Sequence, residues 1–245
     1  MEQVKRRDLK IMGSSSAPGG EYANIKIMGD GTVNGNIDCF LVSCMGNANV
    51  HGNVSTREMK LRGNLNITGE MVAEKTLIQG QADVGRDVYT READISGMMN
   101  VAGDVRSERL NVKGGISVEG NCAAEVMTVT GSSNIKGLLN VGRLELKLNW
   151  SSEIREIGGE YIQVAKGNVI NNIISFLPAL MKVMPDAKLK SDVIEGDRIV
   201  IEHTEAHIVR GGDIRIGPGC VIGRVEYRGN YDQHPDSSVG EAVRI

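Results

Sequence analysis

The chain has 245 residues, a formal net charge of −3 and an isoelectric point near 5.9, so a general nucleic-acid binder is not expected. Aromatic residues make up only 3% of the sequence and glycine occurs 31 times, which favours a narrow interior with little room for rings. The four cysteines form no CxxC motif and no run of about 18 apolar residues occurs, so a metal site, a disulfide framework and a transmembrane helix are unexpected. Because the first ten residues lack the apolar stretch of a signal peptide, a cytoplasmic location is expected.

Residues 1–24 are expected to form a disordered start and a degenerate capping coil. Leu9, Ile11 and Gly13 match the repeat that follows them, but one residue out of phase. The loop sequence SSSAPGG comes next. Terminal repeats are usually atypical, which favours a capping role for this coil.

A glycine recurs every 17 residues through residues 25–142, seven times without a gap. These glycines are Gly29, Gly46, Gly63, Gly80, Gly97, Gly114 and Gly131. Apolar residues stand two before each glycine and four and eight after it; a second glycine stands six after it, except in the fourth unit, where Arg86 takes its place. Polar residues alternate with the apolar ones, as in strands with one buried face. Glycine suits the corners between such strands, so seven coils of a parallel β-solenoid are predicted.

Two columns of charged residues are predicted at a third corner, a column being the set of residues at one position in successive coils. The first column contains Arg57, Glu74, Arg91 and Glu108, and the second contains Glu58, Lys75, Glu92 and Arg109. Both alternate in sign. Equivalent residues of neighbouring coils lie about 4.8 Å apart, so a slip of one coil would bring like charges together. The alternation is therefore predicted to favour the correct register.

Residues 143–227 are predicted to continue the β-helix. Leu144, Leu146, Leu148 and Trp150 alternate as one longer strand, and a further coil is predicted around Gly158-Gly159, with Ile154, Ile157, Ile162 and Val164. Coil-like sequence returns at 189–227. The tail, residues 228–245, is polar, with a last strand expected at Val239, Val243 and Ile245.

An insertion at about 166–188 is expected to interrupt this continuation. Residues 168–186 contain no glycine and are predicted to form a short helix that Pro178 kinks or ends. Their apolar residues include Ile173, Ile174, Phe176, Leu177, Leu180 and Met181. Packing against the solenoid is the favoured interpretation, and contact with a membrane or a protein partner is the alternative.

The sequence predicts no catalytic, cofactor-binding or metal-binding residues. Glu202, His203, Glu205 and His207 form the nearest approach to a cluster, but residues four apart on a strand lie roughly 13 Å from each other. The segment from Ile216 to Gly223 resembles one hexapeptide repeat of the left-handed β-helix acyltransferases. A β-helix enzyme of that kind is the alternative to a structural protein.

The 17-residue units, with the pattern Gly-x-x-x-(Val/Ile)-x-Gly-x-(Val/Ile), resemble the bactofilins over residues 25–142. The whole chain is similar to the longer bactofilin-like proteins of Gram-positive bacilli, through LKIMG near its start, REIGGE at Arg155–Glu160 and the Ile216–Tyr227 stretch. The resemblance implies a right-handed β-helix, end-to-end assembly without nucleotide, and a scaffolding role in cell shape or motility, often with membrane association. Many bactofilins lack the hundred or so residues that follow the repeats here, and this extra part is expected to limit polymer growth.

The end coils are the predicted self-association surfaces, because an end coil exposes unpaired strand N–H and C=O groups. At the first end the predicted residues are Leu9, Ile11, Ile25 and Ile27. At the last end they are Ile214, Ile216, Val225 and Tyr227. The expected partners are further copies of the chain, a paralogous bactofilin, and a membrane or membrane protein; no cofactor and no nucleic acid are expected.

Overall fold

The computed structural model describes residues 6–167 and 187–245, and every regular element within these ranges is a β-strand. The strands are β1 Arg7–His51, β2 Val54–Ile67, β3 Met71–Val84, β4 Val88–Val101, β5 Val105–Val118, β6 Cys122–Leu148, β7 Ser152–Lys166, β8 Leu189–Ile201, β9 Thr204–Ile216, β10 Val221–Tyr227, β11 Tyr231–Gln233 and β12 Ser238–Arg244. All recorded pairings between them are parallel. The chain divides into two compact units, residues 1–124 and 125–245, each a stack of coils. The predicted all-β parallel solenoid is thereby confirmed.

From Ile37 to Val118 in the first unit, each paired residue lies opposite the residue 17 positions further on. Val54 pairs with Met71, Met71 with Val88, and Val88 with Val105. The glycines of the repeat pair in the same way, since Gly63 lies opposite Gly80 and Gly80 opposite Gly97. The sequence period is therefore the coil length.

The three predicted apolar columns are buried throughout. The column four residues after the glycine shows it well, with Val50, Val84 and Val101 each 2–3% exposed and Ile67 fully covered. Three further columns, which sequence reasoning missed, also point inward. They lie four residues before the glycine, as at Met59 and Leu110, two after it, as at Leu65 and Met99, and ten after it, as at Thr56 and Ala73. Each coil therefore has six inward positions, arranged as three pairs separated by corners.

Each 17-residue repeat requires its glycine at the corner. Gly97 has φ +141°, and a Cβ there would lie 2.0 Å from the carbonyl oxygen of Gly80 in the coil before. Any side chain would have to displace backbone, which is costly in a hydrogen-bonded ladder. The corner thus needs glycine for its backbone angle and for the close approach of the next coil.

Side-chain oxygens tie successive coils together at the corner seven residues after the glycine. Asn53 Oδ1 accepts a hydrogen bond from the backbone N–H of Glu70 at 3.0 Å, and Asp87 Oδ1 accepts one from that of Asp104 at 2.8 Å. In the same manner, Asn36 Oδ1 accepts a hydrogen bond from the backbone N–H of Asn53, and Asp104 Oδ1 accepts one from that of Asn121. In each case the side chain caps the coil that follows its own. Backbone donors that the corner would leave open are satisfied in this way.

These caps explain the second glycine of the repeat and its one absence. A Cβ at Gly103 would lie 2.1 Å from Asp87 Oδ1, the oxygen that caps this corner. In the fourth 17-residue repeat Arg86 replaces the glycine. The capping position of the preceding coil is there occupied by Glu70 rather than by Asn or Asp. The glycine is therefore needed where the preceding coil supplies a short capping side chain.

The alternating charges fall in register as predicted. Glu58, Lys75, Glu92 and Arg109 are successive Cα partners. Arg109 forms an ion pair with Glu92, whereas Glu58 pairs with Lys60 of its own strand at 2.9 Å. Exposed pairs of this kind contribute about 0–1 kcal/mol each, so their role in selecting the register stays a prediction.

In the second unit the coil length varies. The pairing shift is 19 between Ile135 and Ile154, 15 between Leu189 and Thr204, and 17 between Val221 and Ser238. The coil predicted around Gly158-Gly159 is confirmed, because its four apolar residues are buried. A regular glycine period is therefore not required for the coils to stack.

The strand predicted to include Trp150 is shorter than expected. Leu144, Leu146 and Leu148 are buried inward residues of β6, but β6 ends at Leu148, and Trp150 lies in the following turn with 54% of its surface exposed. A ring of that size does not fit the narrow interior. The predicted helix and its apolar residues at 168–186 lie outside the described residues. The predicted last strand is confirmed as β12 for Val239 and Val243, but the prediction was wrong for Ile245, which follows the end of β12 and is exposed.

Candidate self-association edges

The first coil of the first unit stacks beneath the second with a shift of 16 residues. A Cβ at Gly29 would lie 2.7 Å from the carbonyl oxygen of Gly13, so the two glycines are stacked. Ile11 is 3% exposed and lies close to Gly31, which has no side chain to occupy the space beside it. A Cβ at Gly31 would lie 3.4 Å from Ile11 Cγ2. The degenerate coil predicted at Leu9–Gly13 is thus a true coil.

The residues predicted for the first end occupy two different coils. Ile25 and Ile27 are 0% and 1% exposed and belong to the second coil, covered by the first. Leu9 is half-buried, and only it and Ile11 belong to the terminal coil. Ile25 and Ile27 are therefore buried against the terminal coil. Charged residues at these two positions would unfold the coil instead of blocking an exposed edge.

A tyrosine that sequence reasoning missed fills the terminal coil. Tyr22 stands at an inward position, is 5% exposed, and donates a hydrogen bond from its hydroxyl to the carbonyl oxygen of Pro18 at 2.9 Å. Its ring therefore covers the apolar interior at this end while the hydroxyl stays satisfied. The signal in the sequence was a lone aromatic residue in a column that otherwise holds small side chains such as Cys39 and Ala73.

The residues predicted for the last end are covered by further strands. Ile214 and Ile216 pair with Tyr231 and Gln233 of β11, and Val225 pairs with Ala242 of β12. Ile214, Ile216 and Val225 are at most 2% exposed, and Tyr227, which pairs with Arg244, is half-buried. The outer edge of the second unit is therefore formed by β11 and β12, within the tail.

This outer edge is polar, and one of its two strands, β11, is short. Tyr231 stacks on Tyr227 with ring centroids 5.1 Å apart, and its hydroxyl donates to Gln233 Oε1 at 2.7 Å. β11 has only three residues, and Pro235 follows it closely. Short edge strands, charges and proline are devices that oppose edge-to-edge pairing.

An ion-pair network holds the strands next to this edge. Glu226 accepts from Arg210 at 2.6 Å and from Arg224 at 2.8 Å, and Arg224 also reaches Glu241 of β12 at 2.9 Å. The hydrogen bond from Arg210 lowers the pKa of the Glu226 carboxyl, and the same bond raises the pKa of Arg210. The network links β9, β10 and β12.

The first unit carries a charged anchor beside its first coil. Arg6 forms ion pairs with Asp38 at 2.5 Å and Glu21 at 3.3 Å, and the bond to Asp38 raises its pKa. The guanidinium groups of Arg6 and Arg57 lie over the Phe40 ring, at 5.4 and 4.9 Å from the ring centroid. Arg6 thus ties the start of the chain to the side of the solenoid.

The polar cluster considered from the sequence does not converge. Lys188 binds Glu205 at 2.7 Å, whereas His207 lies 3.4 Å from Asp192. In the described residues no group of three or more His, Cys, Asp or Glu side chains could hold a metal ion. The same part of the chain contains no helix long and apolar enough to span a membrane.

The parallel stacks of coils in the two units define a parallel β-solenoid protein. The chain is 40% identical over 110 residues to the uncharacterized protein YhbF of Bacillus subtilis (strain 168), which covers 44% of this chain and 42% of YhbF. It is 38% identical over 114 residues to the uncharacterized protein YhbE of the same organism, covering 45% of this chain and 44% of YhbE. The chain thus spans less than half the length of these curated relatives. No family model matches it, and no solved structure gives a significant match.

Proposed function

We propose that the protein is a non-enzymatic, bactofilin-like scaffold that assembles through the edges of its coils without nucleotide or other cofactor. The observation that carries the proposal is the outer edge of the first coil. Among the described residues, β1 pairs with β2 through Ile37–Val50, and no strand pairs with the outer side of Arg7–Gly13 at the start of β1. Backbone donors and acceptors along that side are open to another chain.

Assembly through such an edge needs no new chemistry. A second chain continues the same ladder of backbone hydrogen bonds, as in other cases of strand addition. The side chains that would meet are the half-buried Leu9 and the residues around Met12, which is 72% exposed. Regular coils offer the same spacing to an incoming coil that they offer to each other.

The proposed role is cytoplasmic support of cell shape or motility, with further copies of the chain as the main partner. A paralogous chain is a second proposed partner, which the two similar proteins of one Bacillus subtilis strain support. Contact with a membrane or a membrane protein is proposed by family resemblance alone.

The test is the size of the purified full-length protein without added nucleotide. Sedimentation velocity and negative-stain electron microscopy should show assemblies well above the 26.4 kDa of one chain, and ATP, GTP or magnesium should leave their size unchanged. A strict monomer at high protein concentration, with salt and crowding varied, would rule out the scaffold and favour a monomeric adaptor.

A further inference from the structure

The exposed strand of the first coil has a charge pattern that complements itself. Leu9 and Ile11 point inward, whereas Asp8, Lys10 and Met12 are exposed on the outer face. Asp8 accepts one hydrogen bond, from Asn24 Nδ2 at 2.9 Å, and Lys10 has no ion pair or hydrogen bond with any described residue. An acid and a base thus flank Leu9 on either side.

Two copies that meet through the same edge are related by a twofold axis, so their edge strands run antiparallel. The side-chain period of a strand is two, so inward residues remain inward only if the axis passes through a residue and not between two residues. An axis through Leu9 places Asp8 opposite the partner's Lys10, and this pair occurs twice. An axis through Lys10 places two lysines directly opposite each other, which is unfavourable.

We infer that the strand Arg7–Gly13 is a self-recognition edge that pairs antiparallel with a second copy of this chain, with Leu9 on the twofold axis and Asp8 bound to the partner's Lys10. The inference rests on the proposed self-assembly and specifies its contact. At the other edge β11 has only three residues and Pro235 follows it closely, whereas β12 has seven residues. The self-complementary charges of Asp8 and Lys10 single out the first coil as the contact.

Charge exchange tests the paired residues. Asp8→Lys and Lys10→Asp each replace two attractive contacts by two repulsive ones, so each should weaken association about tenfold at low ionic strength and less at high salt. The double variant D8K/K10D restores both contacts in reversed orientation and should recover wild-type association. Lys113→Asp is the matched control: it changes net charge as Lys10→Asp does, but it lies exposed on β5, away from the edge, and should have no effect.

Cross-linking tests the register. With Leu9 on the axis, the Cα atoms of two Leu9→Cys chains face each other at about 4.5–5.5 Å, a distance that suits a disulfide. Mild oxidation should therefore link Leu9→Cys into a covalent dimer and leave Lys10→Cys unlinked. The native cysteines are all buried, so they should not contribute background links.

The outcomes separate the two proposals. Four results together support the contact. The wild type should assemble, either single charge reversal should weaken assembly, the double variant should recover it, and Leu9→Cys should form a covalent dimer. Normal assembly of both single variants, or preferential linking through Lys10→Cys, overturns this contact and leaves the scaffold proposal intact. A wild-type chain that remains monomeric overturns both. Circular dichroism of each variant confirms that the coils remain folded.

Discussion

Replacing Val101 by aspartate should unfold the first unit at neutral pH. Val101 is 2% exposed and lies between Val84 and Val118, its Cα partners in the neighbouring coils. The next inward residues of its own chain, Met99 and Val105, are each 1% exposed. A carboxylate at this position would therefore be surrounded by apolar side chains.

The expected cost has two parts. Removing a buried valine side chain costs about 1.5–3 kcal/mol. The buried carboxyl avoids full desolvation by staying protonated, and keeping a group with an unfolded pKa of about 3.9 protonated at pH 7 costs about 4 kcal/mol. The sum, about 6–7 kcal/mol, is comparable to the whole stability of a typical domain, about 5–15 kcal/mol.

The sign of the pH dependence follows from the raised pKa. Below the unfolded pKa of aspartate, about 3.9, the carboxyl is neutral in both states and only the packing cost remains. As pH rises above that value, the unfolded state releases its proton first and stability falls. The variant should therefore be most stable near pH 4 and lose stability toward pH 7.

Urea unfolding followed by circular dichroism, at pH 4 and pH 7, measures both parts. Val72→Asp is the matched control, because Val72 is a strand valine of the same unit with 44% of its surface exposed. It should unfold within about 0.5 kcal/mol of wild type. A Val101→Asp midpoint equal to that of Val72→Asp at pH 7 would refute the inward assignment of this column.

Two further predictions concern the corners and the thiols. Gly97→Ala should lower the urea midpoint strongly, because Gly97 has a positive φ and the new Cβ would lie 2.0 Å from the carbonyl oxygen of Gly80. Gly158→Ala should leave the midpoint nearly unchanged, because its Cβ would meet nothing closer than 4.0 Å. Equal midpoints for the two variants would refute the corner argument. Burial raises the pKa of Cys44 from 9.0 to about 11 and that of Cys122 from 9.0 to about 12, so the free energy of unfolding should fall as pH rises from about 9. It should fall less in a variant with alanine at both positions. Identical pH profiles for the wild type and this variant would contradict the prediction.

The glycine period was sufficient to predict the coil and part of its interior. A strict recurrence of 17 fixes which residues stack on each other, and the apolar columns around Val84 were uniform enough to identify as buried. The column two residues after the glycine was not, because it contains Gly31, Ala48 and Met99. Its members range from glycine to methionine, so the column has no uniform apolar character, and only the structure shows that these positions are buried.

The edges could not be predicted from the period. Ile25 and Ile27 have the same pattern as Leu9 and Ile11, and a repeat does not indicate where the stack begins. The structure assigns Leu9 and Ile11 to the terminal coil but Ile25 and Ile27 to the buried second coil, and at the last end it adds β11 and β12 beyond Tyr227. The weak alternation of the polar tail concealed its pairing.

The sequence by itself determined the coil length, the parallel stacking, the corner glycines and the in-register charges, because each depends on residues related by a fixed spacing along the chain. Only the tertiary structure decided that Asn and Asp oxygens cap the coil after theirs, that Tyr22 fills the first coil, and that β11 and β12 cover the predicted last end. These features depend on contacts across coils, and on which strand remains without a neighbour. A periodic pattern is identical for an inner coil and an outer one, so it contains no information about which coil is last.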